Sequence, residues 1–230
     1  MQLLWESLIE ALRLILLADP FVIEAAVRSL WISSLAVGAA ACIGLPLGTF
    51  LARRTIWGNM LIILSFRAAM AIPTVFVGLI CYALFSRRGP LGSLDLLYTP
   101  WVIVVGEVCL AFPMIVSITH GAVKALDVRV AETARTLGAG PIRRWWTYLS
   151  EARVGVVLSI VTAFARCVTE LGIAMMVGGN IVGRTQTLAT ATALETGKGE
   201  FARGMAMGMI LLVIAILVTS IIVMSGREDR

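Results

Sequence analysis

Four ionisable residues lie within the long apolar runs of this 230-residue chain: Arg67, Glu107, Arg166 and Glu170. Because a charge is costly in hydrocarbon, such residues mark either a polar pathway or a tie between helices. Arg166 and Glu170 are four residues apart, so they share one face of a helix and can form an ion pair. We favour a structural role for this pair but keep it as a candidate pathway. Arg67 is close enough to the end of its run to reach the membrane surface, which weakens any assignment to anion binding.

The sequence offers little else that could carry catalysis or hold a metal. Its single histidine, His120, belongs to no His-Glu-x-x-His motif, and its four cysteines form no Cys-x-x-Cys pair. The cysteines lie inside apolar runs, so we expect small buried side chains at Cys42, Cys81, Cys109 and Cys167. No Gly-x-x-x-x-Gly-Lys-Ser/Thr phosphate loop occurs. The chain is therefore predicted not to be an enzyme and to have no catalytic residue, metal or cofactor of its own.

The composition indicates an all-α integral membrane protein. Hydrophobic residues make up 59% of the chain, charged residues 14%, and the mean hydropathy is +0.94. A helix needs about 20 residues to span the hydrocarbon, and five apolar runs are long enough. They cover residues 29–52, 61–86, 100–122, 154–178 and 204–225. The predicted fold is five transmembrane helices in one domain, residues 27–226, with an amphipathic helix before it and a cytoplasmic helix within it.

The N-terminal segment, residues 1–26, differs from the spans. From Trp5 to Leu16, apolar residues recur at helical spacing against acidic and basic ones, which predicts an amphipathic helix. This helix is too short and too polar to cross, so we expect it at the membrane interface, with a soluble loop helix as the weaker alternative. Asp19-Pro20 should break the chain before the first span.

The basic residues set the orientation. The net charge of +5 and the pI near 9.4 arise mainly from arginines in short loops, which indicates topology rather than nucleic-acid binding. With the N-terminus outside and the C-terminus inside, more arginines and lysines face the cytoplasm than with the reverse orientation. The basic segment 127–153 then lies inside.

Prolines and glycines inside the spans predict bends and close contacts. Three prolines should kink their helices, although membrane helices also tolerate proline without a functional role: Pro46, Pro73 and Pro113. Two pairs of glycines four residues apart should let helices approach closely: Gly44 with Gly48, and Gly204 with Gly208.

The segment 127–153 predicts a helix, a turn and a second helix. Asp127 suits a helix N-cap, Gly138 suits the left-handed position after a helix end, and Pro141 can open the next helix. Four residues at helical spacing form an apolar stripe: Val130, Ala131, Ala134 and Leu137. Glu132 could pair with Arg129 or Arg135 on the same helix.

This segment carries a resemblance to a known family. Glu132-Thr133-Ala134, followed after three residues by Gly138, is similar to the Glu-Ala-Ala-x-x-x-Gly signature of ABC-importer permeases, with Thr133 in place of the middle alanine. The resemblance implies a coupling helix on the cytoplasmic face, seated in a separate ATP-hydrolysing subunit that binds ATP and Mg²⁺. The residues implied in coupling are Glu132, Thr133, Ala134, Leu137 and Gly138. An ordinary cytoplasmic loop helix is the alternative.

A glycine- and threonine-rich stretch follows the fourth span. Its glycines permit irregular backbone, and its hydroxyls could let a hydrated anion pass without holding it, so we expect it near the outer mouth. A simple turn at the membrane surface explains the pattern equally well. The candidate gate or pathway residues here are Gly178, Gly179, Asn180, Thr185 and Thr187.

Longer matches narrow the resemblance to tungstate permeases. The matching stretches are 170–172, 175–181, 185–188 and 193–196, together with 71–75, 78–79 and 89–92. Molybdate permeases share the Gly-Asn-Ile and Thr-x-Thr-Leu pieces, so the resemblance implies an oxyanion importer for tungstate, with molybdate or another oxyanion as the alternative. It also implies a second copy of the chain, two ATPase subunits and an extracytoplasmic binding protein. An intramembrane enzyme or an ion-coupled transporter working alone is disfavoured, the latter because it leaves the cytoplasmic helices unexplained.

Overall fold

The computed structural model describes residues 2–17, 19–54 and 57–227, and its regular structure there is helical. Eleven α-helices and one short 3₁₀ turn, Gly92–Leu94, make up this described part. The helices are α1 Gln2–Leu16, α2 Pro20–Arg53, α3 Asn59–Ala69, α4 Thr74–Phe85, α5 Pro100–Lys124, α6 Val128–Thr136, α7 Pro141–Glu151, α8 Arg153–Val168, α9 Gly172–Gly178, α10 Leu188–Gly197 and α11 Phe201–Arg227.

The predicted spans appear in two forms. Helices α2, α5 and α11 are each long and apolar enough to cross a membrane. The second and fourth runs, predicted as continuous helices, are instead bent pairs: α3 and α4 meet at 95°, and α8 and α9 meet at 56°. Counting each pair as one span gives the five predicted crossings.

Proline explains the first break. Pro73 was expected inside a kinked helix, and this prediction is wrong, because it lies directly before α4 as the N-cap residue. Proline restricts the residue before it to extended backbone and donates no amide hydrogen, so α3 stops at Ala69 and the chain restarts at Thr74. Pro46 and Pro113 do lie inside α2 and α5, as predicted.

Helices α2 and α5 pack side by side and run in the same direction. The rings of Trp31 and Trp101 lie 6.0 Å apart near one end, and Gly48 lies against the Val116 carbonyl near the other. Gly44 contacts Ile115 between them, so the close approach predicted for this glycine pair is confirmed. The small residues remove the side chains that would otherwise hold the two backbones apart.

Helices α8 and α9 run against α5. Gly155 at the start of α8 faces Ala122 near the end of α5, and Ile173 on α9 packs against Gly106 further back along α5. Helix α11 begins beside the start of α2, where the Arg203 guanidinium lies 5.8 Å from the centre of the Phe21 ring. The packing therefore places the end of α2 and the segment between α5 and α8 at one end of the bundle.

The N-terminal helix α1 ends at Leu16, and the Asp19 carboxylate caps α2 by accepting from the backbone amides of Phe21 and Val22 at 3.0 and 3.3 Å. The break predicted at Asp19-Pro20 is confirmed. Residues 20–26, which the pattern placed with the N-terminal segment, belong to α2. Helix α1 packs against α11, its Ala11 is buried, and Trp5, Ile9, Leu12 and Leu16 are exposed. Its position at the membrane interface stays a prediction.

Two smaller predictions hold only in part. Cys81 and Cys167 are buried, but Cys42 and Cys109 are exposed, although the Cys109 thiol lies close to that of Cys81 on α4. In α11, a β-carbon on Gly204 would meet the Thr196 hydroxyl, whereas Gly208 has no comparably close neighbour. The close approach predicted for this pair is therefore limited to Gly204.

Candidate functional site

The α6–α7 hairpin is built by signals at each of its corners. Asp127 caps α6, with Oδ1 accepting from the Arg129 amide at 2.8 Å. At the other end Gly138 has a φ of +69°, and its amide donates to the Arg135 carbonyl at 3.0 Å while the Ala139 amide donates to the Ala134 carbonyl at 3.0 Å. This pair of bonds is a Schellman motif, which closes the helix and turns the chain. Pro141 then opens α7 as predicted.

The hairpin is seated on the ends of the long helices. Val130 and Ala131 of α6 and Tyr148 of α7 pack with Val123 of α5 in one hydrophobic cluster. The Arg53 guanidinium at the end of α2 lies 4.7 Å from the centre of the Tyr148 ring, close enough for a cation–π contact. The hairpin is thus attached to α2 and α5 by its inner face.

The opposite face of the hairpin is open. Four apolar side chains of the hairpin are between 61% and 80% exposed, and Leu137 among them lines the groove between the two helices: Val128, Leu137, Ile142 and Trp146. A groove of about 750 Å³ runs between α6 and α7, with residues of both helices on its walls, including Arg129 and Arg143. Exposed apolar residues beside a groove are typical of a surface that contacts another protein.

An exposed ion pair fixes the start of α6. Arg129 binds the Asp127 carboxylate through Nη2 at 2.7 Å and through Nε at 3.0 Å. The side chain of Arg129, and then its backbone amide, lower the pKa of the Asp127 carboxyl, and the same contact raises the pKa of Arg129. Arg129 was expected to be a partner of Glu132, and its partner in this structure is Asp127 instead.

The predicted coupling residues divide into two groups. Ala134 is buried at the wall of the groove between α6 and α7, while Glu132, Thr133 and Gly138 are exposed. Leu137 was expected to continue the apolar stripe of α6, but it is 80% exposed. Helix α6 ends at Thr136, so Leu137 is the C-cap residue and leaves the helical face that the periodicity assumed.

Arg166 and Glu170 form the predicted ion pair at the break between α8 and α9. Arg166 Nη1 lies 2.7 Å from Glu170 Oε2, and Glu170 Oε1 accepts from the Ile173 amide at 3.1 Å. One carboxylate therefore holds the arginine and caps the first turn of α9. The Glu170 side chain is 2% exposed and that of Arg166 is 42% exposed, so the arginine reaches a buried carboxylate while part of its side chain stays open to the surroundings of this chain.

Glu107 lies near this pair but is held differently. It is 2% exposed on α5, and its side chain lies close to Ser33 of α2. Its Oε2 atom has no hydrogen-bond partner among the described residues. The sequence marked Glu107 as an ionisable residue inside a span, but nothing in the pattern linked it to Ser33, since the pairing depends on how α2 and α5 are aligned.

The breaks of the two bent pairs lie side by side. A β-carbon on Gly172, the first residue of α9, would meet the Thr74 hydroxyl and the Val75 amide at the start of α4. Further along, Gly78 of α4 packs against Met176 of α9. The sequence contained these glycines but no signal that the two restarting helices would be neighbours.

The glycine-threonine stretch folds into a loop held by its own hydroxyls. Thr185 is fully buried, and its Oγ1 donates to the Gly178 carbonyl at 2.6 Å and accepts from the Ile181 amide at 2.9 Å. Thr187 is 4% exposed and caps α10 in a reciprocal pair with Thr190. In this structure, both hydroxyls are engaged by neighbouring residues of the same segment.

The remaining candidates of this stretch lie at its turn. Gly178 is buried, Gly179 is exposed with a φ of +69°, and Asn180 is half-buried with a φ of +48°. The Asn180 amide donates to the Thr190 carbonyl at 3.4 Å. Arg28 of α2, which the sequence did not single out, ties the loop to the bundle by donating to the Gln186 carbonyl at 2.8 Å.

Comparison with known sequences gives consistent matches. The sequence profile of a family described as "Binding-protein-dependent transport system inner membrane component" matches residues 44–227. The chain is 32% identical to the tungstate uptake system permease protein TupB of Peptoclostridium acidaminophilum, over 96% of this chain and 97% of that protein. It is 31% identical to the molybdenum transport system permease protein ModB of Escherichia coli K12, over 89% of this chain and 95% of that protein.

Comparison with solved structures agrees on the fold. A chain of the MetNI methionine ABC transporter, solved in inward facing conformations, superposes with a TM-score of 0.69 and covers 91% of this chain and 95% of its own length. The two sequences are 19% identical, so this likeness concerns the fold alone.

Proposed function

The chain belongs to the family of binding-protein-dependent transport system inner membrane components, and on that basis we propose that it is the membrane-spanning subunit of an ATP-driven oxyanion importer. Tungstate is the proposed anion, because relatives of similar length are named for tungstate uptake. Molybdate is the alternative, since a relative named for molybdenum transport is nearly as similar over a slightly shorter span.

The α6–α7 hairpin is the observation that carries the proposal. Its inner face is bound to the ends of α2 and α5, and its outer face presents apolar residues and a groove. Ala152 is the one residue between α7 and α8. Because this connection is so short, a displacement of the hairpin should also displace α8. We propose that a cytoplasmic ATPase subunit binds this outer face, and that ATP and Mg²⁺ are bound by that subunit.

Arg166 supports a pathway between two copies of the chain. Its side chain is 42% exposed within a span, and a charged group there is expensive to leave in lipid. Thr169, the C-cap residue three positions further along, is also exposed, so the polar face extends beyond the arginine to the end of α8. We propose that this face lines the route of the anion between the two copies, with Glu170 holding Arg166 in place.

The other candidate residues fit less directly. The loop containing Gly178, Gly179, Asn180, Thr185 and Thr187 is proposed to shape the outer end of the route. The buried threonine hydroxyls support a role in holding that loop rather than in meeting the anion. An extracytoplasmic binding protein would dock on this side, and the N-terminus would be outside and the C-terminus inside the cell membrane.

The anion is tested by uptake. Cells with and without this chain are given trace tungstate, molybdate, sulfate and phosphate, and the accumulated elements are measured. Loss of tungsten uptake alone supports the proposed anion. Loss of molybdenum uptake instead keeps the importer and replaces the anion, whereas unchanged uptake of all four refutes an oxyanion importer.

Coupling is tested at the tip of the hairpin. Gly138 and Gly140 both have open space around them, but φ is +69° at Gly138 and −65° at Gly140. A side chain in the left-handed region costs about 1–2 kcal/mol, and an Asp there also places a negative charge at the negative end of α6, for roughly 0.3–1 kcal/mol more. Gly138→Asp should therefore abolish ATP-driven uptake while the protein stays in the membrane, and Gly140→Ala should transport normally. Normal transport by Gly138→Asp would show that the hairpin is not the coupling element.

A further inference from the structure

A basic cavity lies between the end of α2 and helix α7, on the side of the hairpin away from its groove. Its volume is about 890 Å³, and four arginines are among its lining residues: Arg53, Arg54, Arg135 and Arg144. No carboxylate is among the lining residues in the described part of the chain. Four guanidinium groups gathered without an acid favour an anionic ligand.

Several donors in this cavity have no acceptor. The buried atoms Nε and Nη2 of Arg53, Nε of Arg144 and Nε1 of Trp145 lack a hydrogen-bond partner within the described residues. A buried donor left unpaired costs about 1–3 kcal/mol, so folded proteins rarely leave several together unless something else binds them. Arg53 is also held in place by the Tyr148 ring at 4.7 Å. The donors are therefore positioned before any ligand arrives.

An apolar track continues from the basic cavity along α2. Ile43, Pro46, Leu47 and Phe50 recur three or four residues apart on the wall of the same cavity, which places them on one helical face. Ile43 is 61% exposed and Phe50 is 49% exposed, so the track is open towards the surroundings of the bundle. A small inorganic anion has no apolar group that could pack against this surface, whereas the acyl chain of a lipid could.

We propose that this cavity binds an anionic phospholipid, with the phosphate held by Arg53 and Arg144 and an acyl chain lying along Ile43, Leu47 and Phe50. Basic pockets between helices at a membrane surface bind lipid head groups, and Trp145 suits the same depth. The proposal goes beyond the transported anion and does not depend on it. Because Arg53 contacts both the proposed phosphate and the Tyr148 ring, the bound lipid would also help to hold the hairpin against α2.

The test measures lipid retention by the purified full chain. The chain is exchanged from detergent into mixtures of phosphatidylglycerol and phosphatidylcholine with identical acyl chains, and bound lipid is counted by native mass spectrometry. We expect selective retention of phosphatidylglycerol. The double variant Arg53→Gln/Arg144→Gln should reduce that retention by at least about tenfold, since the loss of a single charge-assisted hydrogen bond already corresponds to a factor of this size. Arg143→Gln is the matched control, because Arg143 lines the opposite groove, and its retention should stay within about twofold of the parent chain.

Two further arms keep the proposal falsifiable. Phe50→Ser leaves all four arginines in place and should weaken retention of long-chain phosphatidylglycerol more than that of a short-chain form. Displacement of the lipid by millimolar inorganic phosphate or tungstate would instead identify a simple anion site. Equal retention of the two lipid classes by the unaltered chain would overturn the proposal even if the double variant does not fold.

Discussion

Three glycines on α2 form a graded test of how closely α2 and α5 pack. A β-carbon on Gly48 would lie 2.8 Å from the Val116 carbonyl oxygen, a backbone atom that cannot rotate away. On Gly44 it would lie 3.0 Å from Ile115 Cγ2, a side-chain methyl group that needs to shift by only a few tenths of an ångström. On Gly38 it would meet nothing within 4 Å. The three sites therefore differ in the neighbour that an added methyl group would meet.

The same substitution to alanine should give three different stabilities. Replacing glycine by alanine within a helix gains roughly 0.5–1 kcal/mol from backbone entropy, and this gain applies at all three positions. Overpacking costs about 1–3 kcal/mol where the neighbour cannot move. We therefore expect Gly38→Ala to stabilise by up to about 1 kcal/mol, Gly44→Ala to be near neutral, and Gly48→Ala to destabilise by roughly 1–2 kcal/mol.

The assay is thermal unfolding of the purified chain in one detergent, followed by size-exclusion fluorescence after heating. For a chain of this size, 1 kcal/mol corresponds to about 2–4 °C in the midpoint. The expected order of midpoints is Gly38→Ala, then Gly44→Ala and the parent chain together, then Gly48→Ala. If Gly48→Ala melts with or above Gly38→Ala, the backbones of α2 and α5 are not in contact at this point and the described packing is wrong.

Three other predictions concern single polar contacts. Thr185→Val should lower the free energy of unfolding by roughly 2–3 kcal/mol, because it removes two buried hydrogen bonds at nearly constant shape. The control Thr192→Val loses one hydrogen bond inside its own helix, so it should lower the stability clearly less in the same melting assay. Glu170→Gln should lower the free energy of unfolding by roughly 1–2 kcal/mol and reduce uptake, because glutamine keeps an oxygen for the cap of α9 but loses the charge facing Arg166. Unchanged stability and uptake would contradict both roles. For Asp127 the folded carboxyl has a lowered pKa, so the cap it forms is complete above the usual pKa and is lost as pH falls through the lowered one. Amide exchange in residues 128–136, corrected for intrinsic rates, should rise only below about pH 4, and Asp127→Ala should exchange faster than the parent chain above that pH and at the same rate once the parent has lost its cap.

The elements that could be predicted are those with a strong local signal. Each span is an apolar run, and the hairpin has a cap, a left-handed glycine and an opening proline, so its helices begin and end as expected. The breaks were missed because hydropathy is summed over about 20 residues and does not register a turn inside the run. Pro73 was visible, but proline can either kink a helix or end it, and the outcome depends on what packs around it.

The sequence predicted which side chains of the candidate site could pair, but it did not predict what each side chain does in the structure. The spacing of Arg166 and Glu170 indicated an ion pair, but it gave no sign that the same carboxylate would cap α9. A row of threonines suggested hydroxyls facing a route, whereas Thr185 and Thr187 bind their own loop. Which way a hydroxyl points is decided by backbone groups that are near in space, and the spacing of residues does not contain that information.

Helix α8 connects the α6–α7 hairpin to the break before α9, so the two features can act together. Helix α8 follows α7 after the single residue Ala152 and packs along α5. We propose that it transmits displacement from the end that carries the hairpin. The first place where its hydrogen-bond ladder stops is the break before α9, where Glu170 caps the new helix and holds Arg166. If the hairpin moves, we therefore expect the backbone to bend at this break, where Glu170 holds Arg166. This is why the substitution of Glu170 is expected to affect stability and uptake together, whereas a purely structural tie would affect stability alone.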